Sequence, residues 1–215
     1  MWCIAEITTE YRKRMYRLLD LYEEKYNPKH PVICIDEKSK QMIEEKRPPI
    51  PLKPGSPAKY DYEYKRNGTR NIFVAIEPKG GRRIITVTKT RKKHDFANFV
   101  RDVVENEYGQ ARDIRIVVDN LNTHFEKSFY ETFSKKEAKK ILSRITFCYT
   151  PKHGSWLNMA EIEINVMDRE CLGEKIGNEK SLKRQIKSWT KERNKLKKKI
   201  IWKFTRQDAD KKLSK

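Results

Sequence analysis

Apolar side chains first recur at helical spacing in Tyr11, Met15, Leu18, Tyr22 and Tyr26, at steps of four, three, four and four. That spacing puts them on one face of a helix, with Arg12, Lys13 and Glu23 outside it. Pro28 and Pro31 end the helix. Val32-Ile33-Cys34-Ile35 is then a short, continuously apolar run, as expected of a strand covered on both faces, and it delivers Asp36 at its carboxyl end. From Lys46 to Tyr60 the chain carries five of its nine prolines plus Gly55, which predicts an exposed irregular loop.

Asn71 to Glu77 and Arg82 to Thr88 are β-branched runs separated by Pro78-Lys79-Gly80-Gly81, the turn chemistry of a hairpin. Phe96, Phe99, Val100, Val103 and Val104 mark an amphipathic helix. Ile114 to Val118 is another strand, and it too ends on an acid, Asp119. A helical stretch from about Lys127 to Leu142, a strand from Ile145 to Tyr149, a polar loop from Thr150 to Ser155 and a helix from about Trp156 to Cys171 follow. The last predicted element is a long basic helix from about Glu179 to Lys198. This order of strands and helices predicts an α/β fold: a mixed sheet with helices on its faces and no internal repeat.

At 215 residues the chain suits one domain with one core. It holds 49 Lys or Arg against 30 Asp or Glu, a net charge of +19, which makes a polyanion the first partner to consider. The plainer reading is a chain that writes Lys on every solvated face. Lys180 to Lys203 alone contributes +10, with Trp189 and Trp202 interleaved, as either a DNA-backbone face or a solvated helix with tryptophans packed inward. No window approaches the roughly 18 to 20 apolar residues of a spanning helix, and the first residues lack a signal-peptide pattern, so a soluble, cytoplasmic protein is expected. Cys3, Cys34, Cys148 and Cys171 are widely spaced without a C-x-x-C pair, and read as reduced, mostly buried thiols.

Ligand sites of open α/β sheets lie at strand carboxyl ends, where Asp36 and Asp119 are expected. Two carboxylates there suit Mg²⁺, which takes oxygen ligands and is held by one or two carboxylates plus substrate phosphate oxygens. An ion pair of this kind about 3.5 to 4 Å apart supports in-line phosphoryl displacement. Each Asp also fits simple turn chemistry, Asp119-Asn120 being a typical Asx-turn pair. A third ligand is offered by Glu161 or Glu163 on a helix with almost no polar face. The two lie about 200° apart around the helix, and periodicity does not choose between them.

Three stretches carry a specific resemblance. Cys34-Ile35-Asp36-Glu37-Lys38-Ser39, Val118-Asp119-Asn120-Leu121-Asn122-Thr123-His124 and Thr150-Pro151-Lys152-His153-Gly154-Ser155-Trp156-Leu157-Asn158-Met159-Ala160-Glu161 resemble, in order, the three acidic signatures of bacterial and archaeal insertion-sequence transposases of the mariner-like superfamily. The similarity runs from Trp2 to Leu213 and includes Lys59-Tyr60-Asp61-Tyr62-Glu63-Tyr64.

The resemblance implies a ribonuclease-H-like, mixed five-stranded sheet and an Asp36, Asp119, Glu161 triad that holds two Mg²⁺ ions, with Mn²⁺ as a substitute. The Leu-Asn-x-x-Glu pattern selects Glu161 over Glu163. Such enzymes cut their element's ends with metal-activated water and join the freed 3′-hydroxyl to target DNA, commonly at TA. His124, Lys152 and His153 are then expected near the scissile phosphate as DNA contacts, Lys152 beside a helix amino terminus that attracts anions, while His124 and His153 equally fit residues that only order their loops. Asn120 and Asn122 are candidates to orient Asp119 or else to serve the turn. Lys183, Arg184 and Lys187 are expected on the basic DNA-facing helix.

The expected organisation is a helical lead-in over 1–30, the catalytic core over 31–175 and a basic helical extension of the same domain over 176–215. The thirty residues before Val32 are too few for the helix-turn-helix module of full-length relatives, which predicts a catalytic domain alone and a separate recognition module. Family members assemble as dimers on paired ends, so a homodimer on double-stranded DNA, associated with the nucleoid, is expected. Two alternatives stand beside strand cleavage and transfer: a nuclease of the same fold that does not join strands, and a catalytically idle DNA-binding remnant.

Overall fold

The computed structural model of the chain describes residues 7–213, so Trp2 and Cys3 lie outside the described residues. Helix α1 (Thr9–Glu23) opens them, capped by the Thr8 hydroxyl, which accepts from the Tyr11 amide. The chain then forms β1 (Val32–Glu45), β2 (Tyr64–Glu77), β3 (Arg82–Thr88), α2 (Lys93–Asp102), β4 (Ile114–Val118), α3 (Lys127–Thr132), α4 (Lys135–Leu142) and β5 (Ile145–Tyr149). It continues through α5 (Met159–Glu170), α6 (Glu179–Lys195) and α7 (Arg206–Leu213). The five strands form one sheet in the order β3-β2-β1-β4-β5.

β1 is the hinge of this topology, antiparallel to β2 and parallel to β4. Its parallel pairing is short, running from Val32 opposite Arg115 to Cys34 opposite Val117. β4 pairs in parallel with β5 along its whole length. Successive side chains of β1 and β4 alternate between two buried faces, as a period of two demands. Ile33, Ile35, Ile116 and Val118 pack under α2, α3 and α4 with Phe96, Phe99 and Phe129. Cys34 and Val117 point to the other face, against α1 and the start of α5. Farther along that face, Ile72 and Val74 of β2 meet α5 and α6 through Ile164, Met167, Leu182 and Ile186.

Several elements differ from their sequence-based expectation. β1 does not stop at Ile35 but runs to Glu45, because β2 continues to satisfy its backbone from Glu37–Phe73 out to Glu45–Tyr64. Asp36 therefore lies within a strand, at the point where the parallel partner ends. The stretch between β1 and β2 is irregular and largely exposed, as its prolines predict, apart from isolated bridges between Ile50 and Lys59 and between Lys53 and Ser56. The helix expected over Lys127 to Leu142 is broken in two. Phe133 is extended and Ser134 starts α4 afresh through a capping box with Glu137. α5 begins at Met159, after a 3₁₀ turn over Ser155–Leu157. α6 ends at Lys195, and the sequence pattern gave no sign of α7.

Cys34 and Cys148 are buried free thiols and Cys171 is half-buried, as expected of reduced cysteines. Burial pushes the Cys34 thiol up to about 12. Among the described residues no helix is long and apolar enough to cross a membrane.

Candidate active site

The register of the sheet brings two acids to one place. The last parallel pair is Cys34 with Val117. Asp36 and Asp119 each stand two residues beyond it, so by alternation both follow the face of Cys34 and Val117, where α5 packs. This is the switch point of the sheet, where β1 has an antiparallel neighbour on one side and a parallel one on the other.

Glu161 sits in the first turn of α5, near enough for its charge to bear on Asp36. Asn158, fully buried, caps that helix by accepting from the Ala160 amide (3.1 Å) and donates through its side-chain amide to the Ile35 carbonyl (2.9 Å). One side chain thus fastens the first turn of α5 to the residue before Asp36. Tyr22 of α1 adds a buried hydrogen bond to the Leu157 carbonyl (2.7 Å).

The electrostatics record the convergence. Burial foremost, then the charges of Glu37, Asp119 and Glu161, push the Asp36 carboxyl up to about 7, against the Glu37 amide that donates to its Oδ1 (2.8 Å). Among the described residues, neither Asp36 nor Glu161 has a cationic partner, and the Glu161 carboxylate has no hydrogen bond. Glu163 differs completely. Its side chain is 1% exposed and its two oxygens are taken by Arg83 of β3 (2.9 and 3.0 Å) and Arg193 of α6 (2.7 and 3.2 Å). It is a structural ion-pair centre.

Asp119 makes the turn that one of its two sequence readings expects and keeps one carboxylate oxygen unbonded among the described residues. Its Oδ1 accepts from the Leu121 amide (3.0 Å), an Asx turn, and from Nδ1 of His124 (2.6 Å), while among the described residues its Oδ2 has no hydrogen bond. Burial would raise its carboxyl, but the bond and charge of His124 together with the Leu121 amide hold it below the ordinary value. Asn120 braces the same corner, donating to the Thr150 carbonyl (2.7 Å) and accepting from Arg14 of α1 (2.9 Å).

Of the two readings open to it, His124 is placed as the residue that orders its loop rather than as an exposed DNA contact. Its ring is 1% exposed, lies against Phe96 with centroids 4.4 Å apart, and bonds a carboxylate at each nitrogen, Asp119 at Nδ1 and Glu37 at Nε2 (3.1 Å). Burial disfavours the charged ring, yet those bonds and charges raise it to about 9. The ring faces inward and has no surface to offer DNA.

Lys152 and His153 are exposed on the loop before α5. His153 adopts a left-handed φ of 61° and Gly154 follows at a point where a Cβ would lie 2.6 Å from Pro151, so the loop turns tightly and holds both side chains outward. Lys183, Arg184 and Lys187 are exposed on α6, which packs over the β2–β3 side of the sheet rather than beside the acids, and Lys183 pairs with Glu179 (2.7 Å). Trp189 leans on the core under α6 and Trp202 on Tyr22, the inward packing that the plainer reading expects.

Glu37, Asn158 and Arg14 are site residues that sequence reasoning did not single out. Alternation along β1 holds a signal for Glu37, since it must face away from Asp36, toward α2 and α3.

Carboxylate oxygens crowded enough to raise one carboxyl to about 7, with Asp36 and Glu161 lacking a cationic partner among the described residues, fit a hard divalent metal. Among the described residues no three His, Cys, Asp or Glu side chains are already drawn together as a ligand cage. The fit is one of donor chemistry and placement.

The model of the DDE superfamily endonuclease family matches residues 31–183. Solved structures with the same fold include the Mos1 mariner paired end complex with Mn, at 15% identity and a TM-score of 0.59, covering 92% of this chain and 60% of that one. The Mos1 strand transfer complex matches at 15% identity and a TM-score of 0.57, covering 89% of this chain and 57% of that one. The mariner Mos1 paired end complex with Mg matches at 16% and 0.55, covering 88% and 57%. The shared fold is the ribonuclease-H-like one, and this chain spans about 60% of the length of those chains. No curated protein matches the chain.

Proposed function

The chain belongs to the DDE superfamily endonuclease family, and from that premise we propose that it is a transposase catalytic domain that cleaves DNA at insertion-sequence ends and joins the cut strand to a target. The observation that supports the reading is that Asp36 and Asp119 stand two residues beyond the last parallel pair and that the charges of Asp119 and Glu161 both act on Asp36, with Glu163 withdrawn into an ion-pair centre.

In this reading Asp36, Asp119 and Glu161 are the catalytic carboxylates and hold two Mg²⁺ ions, for which Mn²⁺ substitutes. When bound, the ions supply activation of the attacking oxygen and neutralisation of charge at the leaving one. The protein's own part is positional. Asn158 sets the first turn of α5 and hence Glu161 against β1, and the Asx turn fixes Asp119. The exposed Lys152 and His153 bind the DNA backbone beside the acids, next to the amino terminus of α5, which favours anions. Lys183, Arg184 and Lys187 extend the electrostatic track along α6, contributing affinity and not sequence choice.

Paired-end complexes of Mos1 support a homodimer on two DNA ends. Target choice at TA follows the resemblance, and the site of action is the nucleoid of the cytoplasm.

The test offers the full chain a pre-cut oligonucleotide end with a free 3′-hydroxyl, together with supercoiled plasmid and Mg²⁺ or Mn²⁺. Joined product is expected, and it should vanish in Asp119→Asn. Plasmid nicking without joining would replace the transposase reading by a nuclease one. DNA retained on a gel with neither reaction would contradict both and favour an idle DNA-binding protein.

A further inference from the structure

Asp36 and Glu37 are neighbours on β1, so their side chains leave opposite faces of the sheet. Asp36 faces the α5 side with Cys34, whereas Glu37 follows Ile33 and Ile35 into the core under α2 and α3. A carboxylate in that apolar layer must be fully engaged to be tolerated. Its side chain is 4% exposed, its Oε2 lies 3.1 Å from Nε2 of His124, and its Oε1 lies 3.9 Å from the Arg91 guanidinium.

His124 is held in turn from every side. Phe96 of α2 packs against its ring, its backbone amide donates to the Leu121 carbonyl (2.8 Å), and the Tyr149 hydroxyl of β5 donates to its carbonyl (3.1 Å). With both nitrogens on carboxylate oxygens, the ring donates at both ends. Its Nδ1 bond occupies Oδ1 of Asp119 (2.6 Å), which leaves Oδ2 as the oxygen without a hydrogen bond among the described residues.

We propose that Glu37 and His124 are positioning residues: a buried carboxylate–imidazole–carboxylate chain that holds Asp119 by one oxygen and presents the other to the metal. Metal-ligating groups gain affinity and orientation from such outer partners, whose loss typically costs 10–100-fold in metal affinity. The inference rests on the metal role of Asp119 given above. It also explains a lone acid–histidine pair deep in a core that plain packing would fill with apolar residues.

Uptake of Mn²⁺ by the full chain, followed by electron paramagnetic resonance of the free aquo ion, tests it without DNA. Wild type, Glu37→Gln, His124→Ala and the double variant are compared, each with a thermal melt and a DNA gel-shift. The expected result is Mn²⁺ affinity about tenfold weaker in Glu37→Gln, with DNA retention unchanged. The double variant should be no weaker than His124→Ala alone, because Glu37 acts through that ring. Should His124→Ala fail to fold, Glu37→Asp replaces it: a carboxylate one methylene short should recover less than the native affinity but more than Glu37→Gln. Wild-type affinity in a folded Glu37→Gln, or strictly additive losses in the double variant, would overturn the proposal while leaving the metal site standing. A wild-type chain that takes up no Mn²⁺ would overturn the metal reading and this inference with it.

Discussion

Asp36 is a carboxyl whose surroundings favour the proton. Raised from 3.8 to about 7, it makes the folded state bind more protons than the unfolded one between those values. Its stabilising contribution is whole below about pH 4 and is lost as pH rises toward 7. The metal-free chain should therefore lose about 6–12 °C of melting temperature from this group between pH 4.5 and 7, and Asp36→Asn should flatten that slope. A variant with the native slope would show that other groups set it. His124 works in another window: raised from 6.5 to about 9, it stabilises the fold below its unfolded value and stops doing so as pH climbs through 9. A second prediction separates two glutamates that periodicity leaves equal. Glu163→Gln strands the fully buried Arg83 and should cost about 3–5 kcal/mol, seen in a urea melt. Glu161→Gln, which relieves crowding among carboxylates, should change stability by about 0.5 kcal/mol or less. Equal effects would contradict the assignment. Of the proposed triad, the sequence pattern marked Asp119 at the end of its strand, misplaced Asp36 at an end when β1 runs on to Glu45, and named Glu161 over Glu163 only through the resemblance. The Glu37–His124 bond was not legible, since it joins residues 87 positions apart and only the paired sheet brings them together.

α5 is the element that carries Glu161, the third acid of the proposed site. Its start is fixed by Asn158, which supplies both the cap and the tie to the Ile35 carbonyl. Asn158→Ala should cost about 1–2 kcal/mol of stability and lower DNA cleavage by at least tenfold, because a small displacement of a catalytic group is expensive. Cleavage at the native rate in this variant would show that α5 is placed by packing alone. The sequence announced most elements through their periods, including the β2–β3 hairpin and the buried part of β1. It understated β1, whose outer half reads as polar because β2 supplies its ladder without a core over it. It overran the helix after Asp119, where one serine with a glutamate three residues on was enough to restart α4.

Across the whole molecule, about half of the excess positive charge lies between Lys180 and Lys203, on and just after α6, rather than at the acids. Replacing Lys183, Arg184 and Lys187 together by Gln should weaken DNA binding at low salt and reduce the slope of log affinity against log salt by up to about 3, if each meets a phosphate. An unchanged slope would mean that α6 is only a solvated face, the reading its inward-packed Trp189 allows. Overall charge was plain in the composition, but which faces carry it depended on how α6 and the Lys152–His153 loop pack, which composition does not encode. The central claim is that Asp36, Asp119 and Glu161 form one metal-dependent centre for cutting DNA. Nicking of supercoiled plasmid by the full chain in Mg²⁺ tests it most directly, with Glu161→Gln beside the wild type and chelator as the blank. The expected result is nicking that chelator abolishes and that falls at least a hundredfold in a folded, DNA-binding Glu161→Gln. Nicking that survives in that variant would contradict it.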